Sequence, residues 1–219
     1  MNALPTVYVV DDDPGIRKAI AALLQSVRLP IQCFASAQEF LEGYKSGSPG
    51  CLVLDLRLPD LSGRELQQQM NSEGTGLPIV FITGHAEVAT AVQAMKEGAV
   101  DFIEKPFSHQ RLLDAVQRAI RVSETWLKCA GRMARMEERL AQLTAGEREV
   151  LELLAVGESY KSIASELDLS YKTVEARRAR IMKKMGVDHL PQLISLLIAY
   201  RQDQNSRRRS LALGPASVE

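Results

Sequence analysis

The feature that most constrains the fold is a series of five short apolar runs in the first 105 residues, alternating with stretches of helical spacing. The third run, Leu-Val-Leu before Asp55, is short, does not alternate and is partly β-branched, which is typical of a buried parallel strand. Five strands alternating with helices predict a doubly wound parallel sheet of the α/β class. The predicted strands cover residues 6–10, 31–34, 52–54, 79–82 and 100–103.

Asp55 is the carboxylate that ends the third run, and Pro59, Ser62 and Gly63 predict a loop directly after it. Sites in open α/β sheets form at the carboxyl ends of strands. An ionised carboxylate there can act as a nucleophile if a metal neutralises the attacking phosphate. The alternative is an aspartate that only ends a strand.

Other polar residues follow neighbouring strands, and the fold should bring them to the same edge. They are Asp11, Asp12, Thr83 and Lys105. Clustered carboxylates repel one another, so they need a hard cation with oxygen ligands, and Mg²⁺ is the natural one. Lys105 adds a positive charge for phosphoryl oxygens, and Thr83 offers a hydroxyl donor. The sequence therefore predicts a magnesium site that handles a phosphoryl group.

A long helical segment begins near Ser108 and carries an apolar seven-residue repeat from Leu112 to Leu143, with spacings of three and four in strict alternation. This period predicts a coiled-coil seam between two copies. The alternative is a helix that packs only on its own domains, and Gly131 inside the repeat weakens the helix by about 1 kcal/mol. The predicted domains are 1–120, a helical linker 121–143, an all-α unit 144–203 and a disordered tail 204–219.

Residues 144–200 have the pattern of a helix-turn-helix followed by another helix. Val174, Ile181 and Met185 should face the core, so the opposite face is free to enter a major groove, where small residues allow close approach and basic residues meet phosphate. The residues predicted to contact DNA are Lys172, Thr173, Glu175, Ala176, Arg178, Ala179 and Lys183. The alternative is a solvated basic helix in which Arg177 and Arg178 pair with Glu147 or Glu149.

Charge is unevenly spread along a chain whose net charge is zero. Residues 1–120 hold 10 Lys+Arg against 14 Asp+Glu, and residues 144–219 hold 12 against 10, which suits a metal site followed by a polyanion binder. Three cysteines without metal-ligand spacing predict reduced thiols in the cytosol. No signal peptide is apparent and the apolar stretch 193–200 is too short to span a bilayer, so we expect a cytoplasmic protein without membrane contact.

The motifs VVDDD, LDLRLPDLSG, FITGHA and DFIEKPF resemble the receiver domain of bacterial two-component response regulators, which has a flavodoxin-like sheet. The resemblance implies that Asp55 is the phospho-acceptor and that Thr83 and Phe102 form a switch pair. It further implies that Lys105 binds the phosphoryl group and that Mg²⁺ is held by Asp12, Asp55, the backbone carbonyl of Arg57 and, through water, Asp11. A haloacid-type phosphatase would need a second Asp where this chain has Arg57.

The segment from Leu143 to Val187 resembles the LuxR-type DNA-binding domain, although Tyr160 and Arg177 stand where Asn and His are common. Together the two halves look closest to the FixJ subfamily. The resemblance implies a non-enzymatic transcription regulator that receives phosphoryl from a sensor histidine kinase, forms a homodimer and binds double-stranded promoter DNA, with activation favoured. Alternatives are a phosphotransfer sink, an RNA-binding antiterminator and a constitutive activator.

Overall fold

The computed structural model describes residues 4–45, 47–84 and 88–212, with side chains described through residue 204. The chain divides into two compact units, Met1–Lys128 and Cys129–Glu219. Each unit is described by itself.

The first unit contains a five-stranded parallel sheet with the order β2-β1-β3-β4-β5. The strands are β1 (Thr6–Val10), β2 (Ile31–Phe34), β3 (Gly50–Asp55), β4 (Ile79–Thr83) and β5 (Asp101–Glu104). The predicted doubly wound sheet is confirmed, and the last strand begins one residue later than predicted because Asp101 is the first residue that pairs with β4, opposite Val80.

Helices cover both faces of this sheet. They are α1 (Pro14–Ser26), α2 (Ala37–Gly43), α3 (Gly63–Ser72), α4 (Val88–Lys96) and α5 (His109–Ala141). One core cluster joins alternate strand residues such as Val9 and Val53 to α1 and α5, and a second joins the opposite strand face to α2, α3 and α4. This layering leaves the carboxyl ends of β1, β3, β4 and β5 together at one edge.

Helix α5 extends from the first unit into the second, and the boundary between the units, after Lys128, lies inside the linker predicted over residues 121–143. Most of the apolar residues of its repeat, however, pack inside the two units. Leu112, Ala115 and Ala119 lie in the core of the first unit, and Met136, Leu140 and Leu143 belong to the core of the second. These positions therefore favour the packing of α5 on its own units over a continuous seam between two copies.

The second unit is helical in the part of the chain that the structure describes. Beyond the end of α5 it contains α6 (Ala145–Ala155), α7 (Tyr160–Glu166), α8 (Tyr171–Met185) and α9 (Leu190–Ala212). The helix-turn-helix is α7, residues 167–170 and α8, and Gly186 ends α8 in the left-handed conformation at φ +63°. Its core contains Val174, Ile181 and Met185, as predicted, and also Met182.

Helix α9 continues beyond residue 203, where a disordered tail was expected, and reaches Ala212. Residues 201–212 contain neither glycine nor proline, so nothing in this stretch interrupts a helix. Residues 213–219 lie outside the described part. Across the described ranges, no helix has both the length and the apolar character that a bilayer crossing requires.

Candidate metal centre and nucleic-acid interface

Three carboxylates meet at the carboxyl edge of the sheet. Asp11 and Asp12 follow β1, Asp55 ends β3, and one oxygen from each lies within 4.8 Å of the others. Asp11 is fully buried and Asp55 is 7% exposed, whereas Asp12 is open to solvent. The predicted cluster is therefore present, with two buried oxygen donors and one that solvent can reach.

Backbone groups hold two of these carboxylates in place. The N–H of Asp13 donates to Asp11 Oδ1 at 2.9 Å, and the N–H of Arg57 donates to Asp55 Oδ1 at 3.0 Å. Gly63, the first residue of α3, lies so close to the carbonyl of Asp55 that a side chain there would collide with it. The loop after β3 thus folds back on Asp55, which leaves its second carboxylate oxygen for other partners.

Lys105, directly after β5, supplies that partner. Its Nζ donates to Asp55 Oδ2 at 2.5 Å and to Asp11 Oδ2 at 2.7 Å. Its own N–H donates to the carbonyl of Thr83 at 2.7 Å, and the following Lys105–Pro106 bond is cis. The structure therefore brings together the lysine and both buried aspartates, as the sequence predicted.

The electrostatics of this group are set by burial and by mutual pairing. Burial raises the pKa of Asp11, and the neighbouring charge of Asp55 adds to this, although Lys105 and the N–H of Asp13 oppose it. Burial by itself would lower the pKa of Lys105, but its hydrogen bonds to Asp11 and Asp55 outweigh that effect and raise it. Three carboxylates surround one ammonium, so net negative charge remains at the site. A set of donors made only of carboxylate oxygens fits Mg²⁺.

Thr83 and Phe102 lie on neighbouring strands beside this group. Thr83 is fully buried at the end of β4. Phe102 on β5 pairs in register with Phe81, so both phenylalanines and Thr83 point to the same face of the sheet. The ring of Phe102 is half-buried, 6.2 Å from the ring of Phe81. A Cβ on the exposed Gly84 would meet no described atom within 4 Å, so there is open space beside Thr83.

Sequence reasoning missed one residue of this site. Arg17 on α1 donates from Nη1 to the carbonyls of Asp11 and Asp12, at 2.6 and 2.9 Å. It therefore fixes the backbone that carries both carboxylates. The signal was present, since Asp13 caps α1 and a helix begun at Pro14 places Arg17 one turn in.

The second candidate site is the outer face of α8. Lys172, Glu175, Ala176, Ala179 and Lys183 are all exposed, as predicted for a helix that approaches a polyanion. Their spacing follows the helix period, so they form one surface opposite the buried Val174 and Ile181.

Two of the predicted DNA contacts are less available than expected. Thr173 is half-buried, and its N–H and hydroxyl both contact the Ser170 hydroxyl that caps α8. Arg178 is half-buried with its guanidinium 5.7 Å from the ring centre of Tyr160. Its buried Nε has no hydrogen-bond partner among the described residues. Both side chains are committed to the helix-turn-helix by local packing that the sequence pattern does not reveal.

Two further basic residues of α8 serve the fold. Arg177 donates to the carbonyl of Gly146 at 3.1 Å. Lys184 donates to the buried Glu147 at 2.6 Å and to the carbonyl of Gln142 at 3.0 Å. The predicted alternative that Arg177 or Arg178 pairs with Glu147 or Glu149 is not seen among the described residues, because Lys184, about two turns further along α8, pairs with Glu147 instead.

Comparisons with known proteins identify the family of each unit. The family of the response regulator receiver domain matches residues 7–117, and that of the bacterial regulatory proteins of the luxR family matches residues 141–197. FixJ of Bradyrhizobium diazoefficiens, a transcriptional regulatory protein, is 42% identical over 190 residues, 87% of this chain and 93% of FixJ. TodT of Pseudomonas putida F1, a response regulator protein, is 38% identical over 188 residues, 86% of this chain and 83% of TodT.

Solved structures give the same result. The response regulator StyR matches with a TM-score of 0.82 at 40% identity, over 90% of this chain and all of StyR. Full-length FixJ from B. japonicum matches with a TM-score of 0.54 at 39% identity, over 90% and 98%. An acidic receiver unit followed by a helix-turn-helix unit defines a class of signalling proteins. The chain belongs to the response regulators that join a receiver domain to a LuxR-type DNA-binding domain, with FixJ homologues among its relatives.

Proposed function

We propose that this chain is a transcription regulator switched by phosphorylation, in which Asp55 accepts a phosphoryl group from a sensor histidine kinase. The observation that carries the proposal is the bridge from Lys105 to Asp11 and Asp55 within a three-carboxylate cluster. An ordinary strand-end aspartate would need neither a partly buried lysine nor further carboxylates. Receiver domains generally bind Mg²⁺ at such a pocket.

The chemistry is a phosphoryl transfer. A carboxylate oxygen of Asp55 attacks the phosphorus of a phosphohistidine, the new P–O bond forms as the P–N bond breaks, and the imidazole leaves with the electron pair. Asp12, Asp55, the carbonyl of Arg57 and, through water, Asp11 would hold Mg²⁺, which when bound neutralises phosphoryl oxygens. The surroundings of Lys105 raise its pKa, so its side chain carries a positive charge. This ammonium moves from Asp55 to the new phosphoryl group.

We assign the switch to Thr83 and Phe102. The hydroxyl of Thr83 turns towards the phosphoryl oxygens, which frees space on its face of the sheet. Phe102 shares that face and has only a half-buried ring, so it can follow inward. This rearrangement changes the surface formed by α4 and β5.

That surface is where two copies would pair after phosphorylation. Val88, Val92 and Met95 expose 79, 48 and 44% of their surface on α4, a stripe that a second copy could cover. Charge alone would pair Lys96 with Asp101 of the second copy, but this pairing is not favoured. Asp101 already binds Arg111 and Arg118 of its own chain.

Val92→Asp should therefore abolish phosphorylation-dependent dimerisation, because it places a charge in the apolar stripe. Sedimentation at several concentrations, with and without phosphorylation, measures the effect. Lys18→Asp, a charge reversal on the exposed face of α1, is the control. A Val92→Asp chain that still dimerises when phosphorylated would remove α4 from the interface.

DNA binding is assigned to α8. Lys172 and Lys183 meet phosphates, Ala176 and Ala179 allow close approach, and Glu175 accepts a hydrogen bond from a cytosine N4 amino group. Thr173 and Arg178 support the same helix from its edges, where they also contact Ser170 and Tyr160. By likeness to FixJ we propose activation as the direction of control, with promoter DNA as the partner.

The decisive experiment replaces Asp55 by Asn, an isosteric change that removes the nucleophile. With Mg²⁺ and acetyl phosphate the wild type should be labelled once and the variant not at all. Asp114→Asn, on α5 and paired with Gln110, is the matched control. Labelling of Asp55→Asn at the wild-type rate would show that the acceptor is another residue. Binding assays on duplex DNA and on RNA separate a promoter-binding regulator from an antiterminator or a phosphotransfer sink.

A further inference from the structure

Helix α5 remains attached to the first unit well beyond residue 120. Ser123 is 2% exposed, and its hydroxyl accepts a hydrogen bond from the N–H of Gly50 at 3.1 Å. One turn later, the Trp126 indole packs on Gly76, where an added Cβ would lie 2.5 Å from ring atoms Cε2 and Cζ2. These two contacts, here called the α5 anchor, hold the segment that leads towards the second unit.

The α5 anchor reaches the two strands that carry the reactive groups, at their opposite ends. Gly50 is the first residue of β3, and Asp55 is its last. Gly76 stands shortly before β4, which ends at Thr83. The two strands pair with each other in register, so a shift of one strand relative to the other would move residues at both ends of the pair.

We propose that the α5 anchor reports the state of Asp55 to the linker part of α5, with Trp126 as a positioning residue that holds the unphosphorylated arrangement. The inference rests on the proposed phosphorylation of Asp55. Ser123 contacts the first residue of β3, and Trp126 contacts the segment that leads into β4. Phosphorylation loosens the hold of Trp126 on Gly76.

The surroundings of Trp126 allow such a movement. A cavity of about 430 Å³ adjoins the indole and is lined by Phe40, Tyr44, Met70 and neighbouring residues. Trp126 is 39% exposed, so its side chain can change position without opening the core. Trp126 is also the only tryptophan of the chain, which makes its fluorescence specific to this contact.

Two glycines of the same loop provide a matched pair for the test. Gly76 and Gly74 have nearly equal positive φ angles, +64° and +65°, so alanine brings the same backbone strain at both. A Cβ on Gly76 collides with Trp126, whereas one on Gly74 meets no described atom within 4 Å. The difference between Gly76→Ala and Gly74→Ala therefore isolates the contact with the indole.

The test measures the affinity of the full-length chain for beryllofluoride, a phosphoryl mimic, by ¹⁹F NMR with Mg²⁺ present. Coupling between sites is reciprocal, so releasing the anchor should favour the occupied state. We expect Gly76→Ala to bind beryllofluoride roughly fivefold more tightly than wild type, and Gly74→Ala to stay within about twofold. Saturation with beryllofluoride should also shift the Trp126 emission of the wild type.

A second variant protects the test against misfolding. Trp126→Ala removes the ring without altering the loop, and it should tighten beryllofluoride binding as Gly76→Ala does. Equal affinity in Gly76→Ala, Trp126→Ala and Gly74→Ala, with unchanged wild-type emission, would overturn the anchor while leaving the proposed function intact. A wild-type chain that shows no bound ¹⁹F signal would instead overturn the proposed function, and the anchor with it.

Discussion

The two functional regions of this molecule are built in opposite ways. In the receiver unit Asp11, Asp55 and Thr83 are buried and share a partner, since Lys105 joins both carboxylates and, through its N–H, the carbonyl of Thr83. On α8 the candidate DNA contacts Lys172, Glu175 and Lys183 are exposed, and the described part of the structure shows no hydrogen bond from their side chains. The first region is a coupled network, and the second is a set of independent side chains.

The difference determines how each region responds when one of its residues is changed. In a buried charge network, removing one member leaves the others with unpaired charge, so stability and chemistry change together. On an exposed helix face a side chain can be removed with little effect on stability. A switch that must sense a single phosphoryl group needs the first kind of site, and a surface that must fit DNA can use the second.

The largest effect should come from Lys105→Met. Without Mg²⁺ it should destabilise the receiver unit by about 3 kcal/mol, because two buried carboxylates then face each other without a cation. Urea unfolding followed by Trp126 fluorescence reports on this unit. Mg²⁺ should restore more stability to the variant than to the wild type, since it no longer competes with Lys105.

Lys172→Met provides the comparison from the exposed face and should change stability by less than about 0.5 kcal/mol. If Lys105→Met were equally harmless and indifferent to Mg²⁺, the receiver site would not be the coupled network described here.

Much of the receiver site could be predicted because a strand dictates where its last residue lies. Asp11, Asp55, Thr83 and Lys105 follow buried runs, and the parallel sheet takes them to one edge whatever the loops do. The sheet and its connecting helices follow from the same apolar pattern, with boundaries displaced by a residue or two.

The use of basic residues on α8 could not be predicted in the same way. Lys183 and Lys184 are neighbours with the same chemistry, yet one is exposed and the other binds Glu147, and α6 decides which. Likewise, Arg178 lies against Tyr160 because α7 packs on α8, which the residue pattern of α8 alone does not show. The repeat on α5 was ambiguous for a related reason, since an apolar stripe does not state whether its partner is another copy or its own domain.

That neighbouring pair offers the second prediction. Lys184→Met should destabilise the DNA-binding unit by about 2 kcal/mol, because Glu147 is 3% exposed and would lose its charged partner. Lys183→Met should leave stability unchanged but weaken DNA binding and lower the salt slope by about one. Thermal unfolding by circular dichroism and salt-dependent binding measure the two effects. If Lys183→Met lost stability, Lys183 would be a structural residue and not only a DNA contact, and the distinction between the two lysines would be wrong.

A smaller effect than those at Lys105 and Lys184 should come from Asp101, which pairs with Arg111 and Arg118 at the receiver surface. Burial tends to raise the pKa of Asp101, but hydrogen bonds from Arg111, from the N–H of Phe102 and from Arg118 outweigh it and lower the pKa below its usual 3.8. A lowered folded-state pKa contributes stability that is present above pH 3.8 and is lost as the pH falls through the folded-state value.

Asp101→Asn should therefore cost less than about 1 kcal/mol at pH 7, because both arginines are more than a third exposed and solvent screens the pairs. The cost should shrink as the pH is lowered below 4 and fall further in high salt, since the wild-type carboxyl then loses its charge or its partners. Urea unfolding at several pH values, again with Trp126 as the probe, checks this. If the loss of stability in Asp101→Asn stayed constant with pH, Asp101 would act through packing and not through charge. The contrast between coupled buried charges and screened surface charges would then not extend to this edge of the receiver.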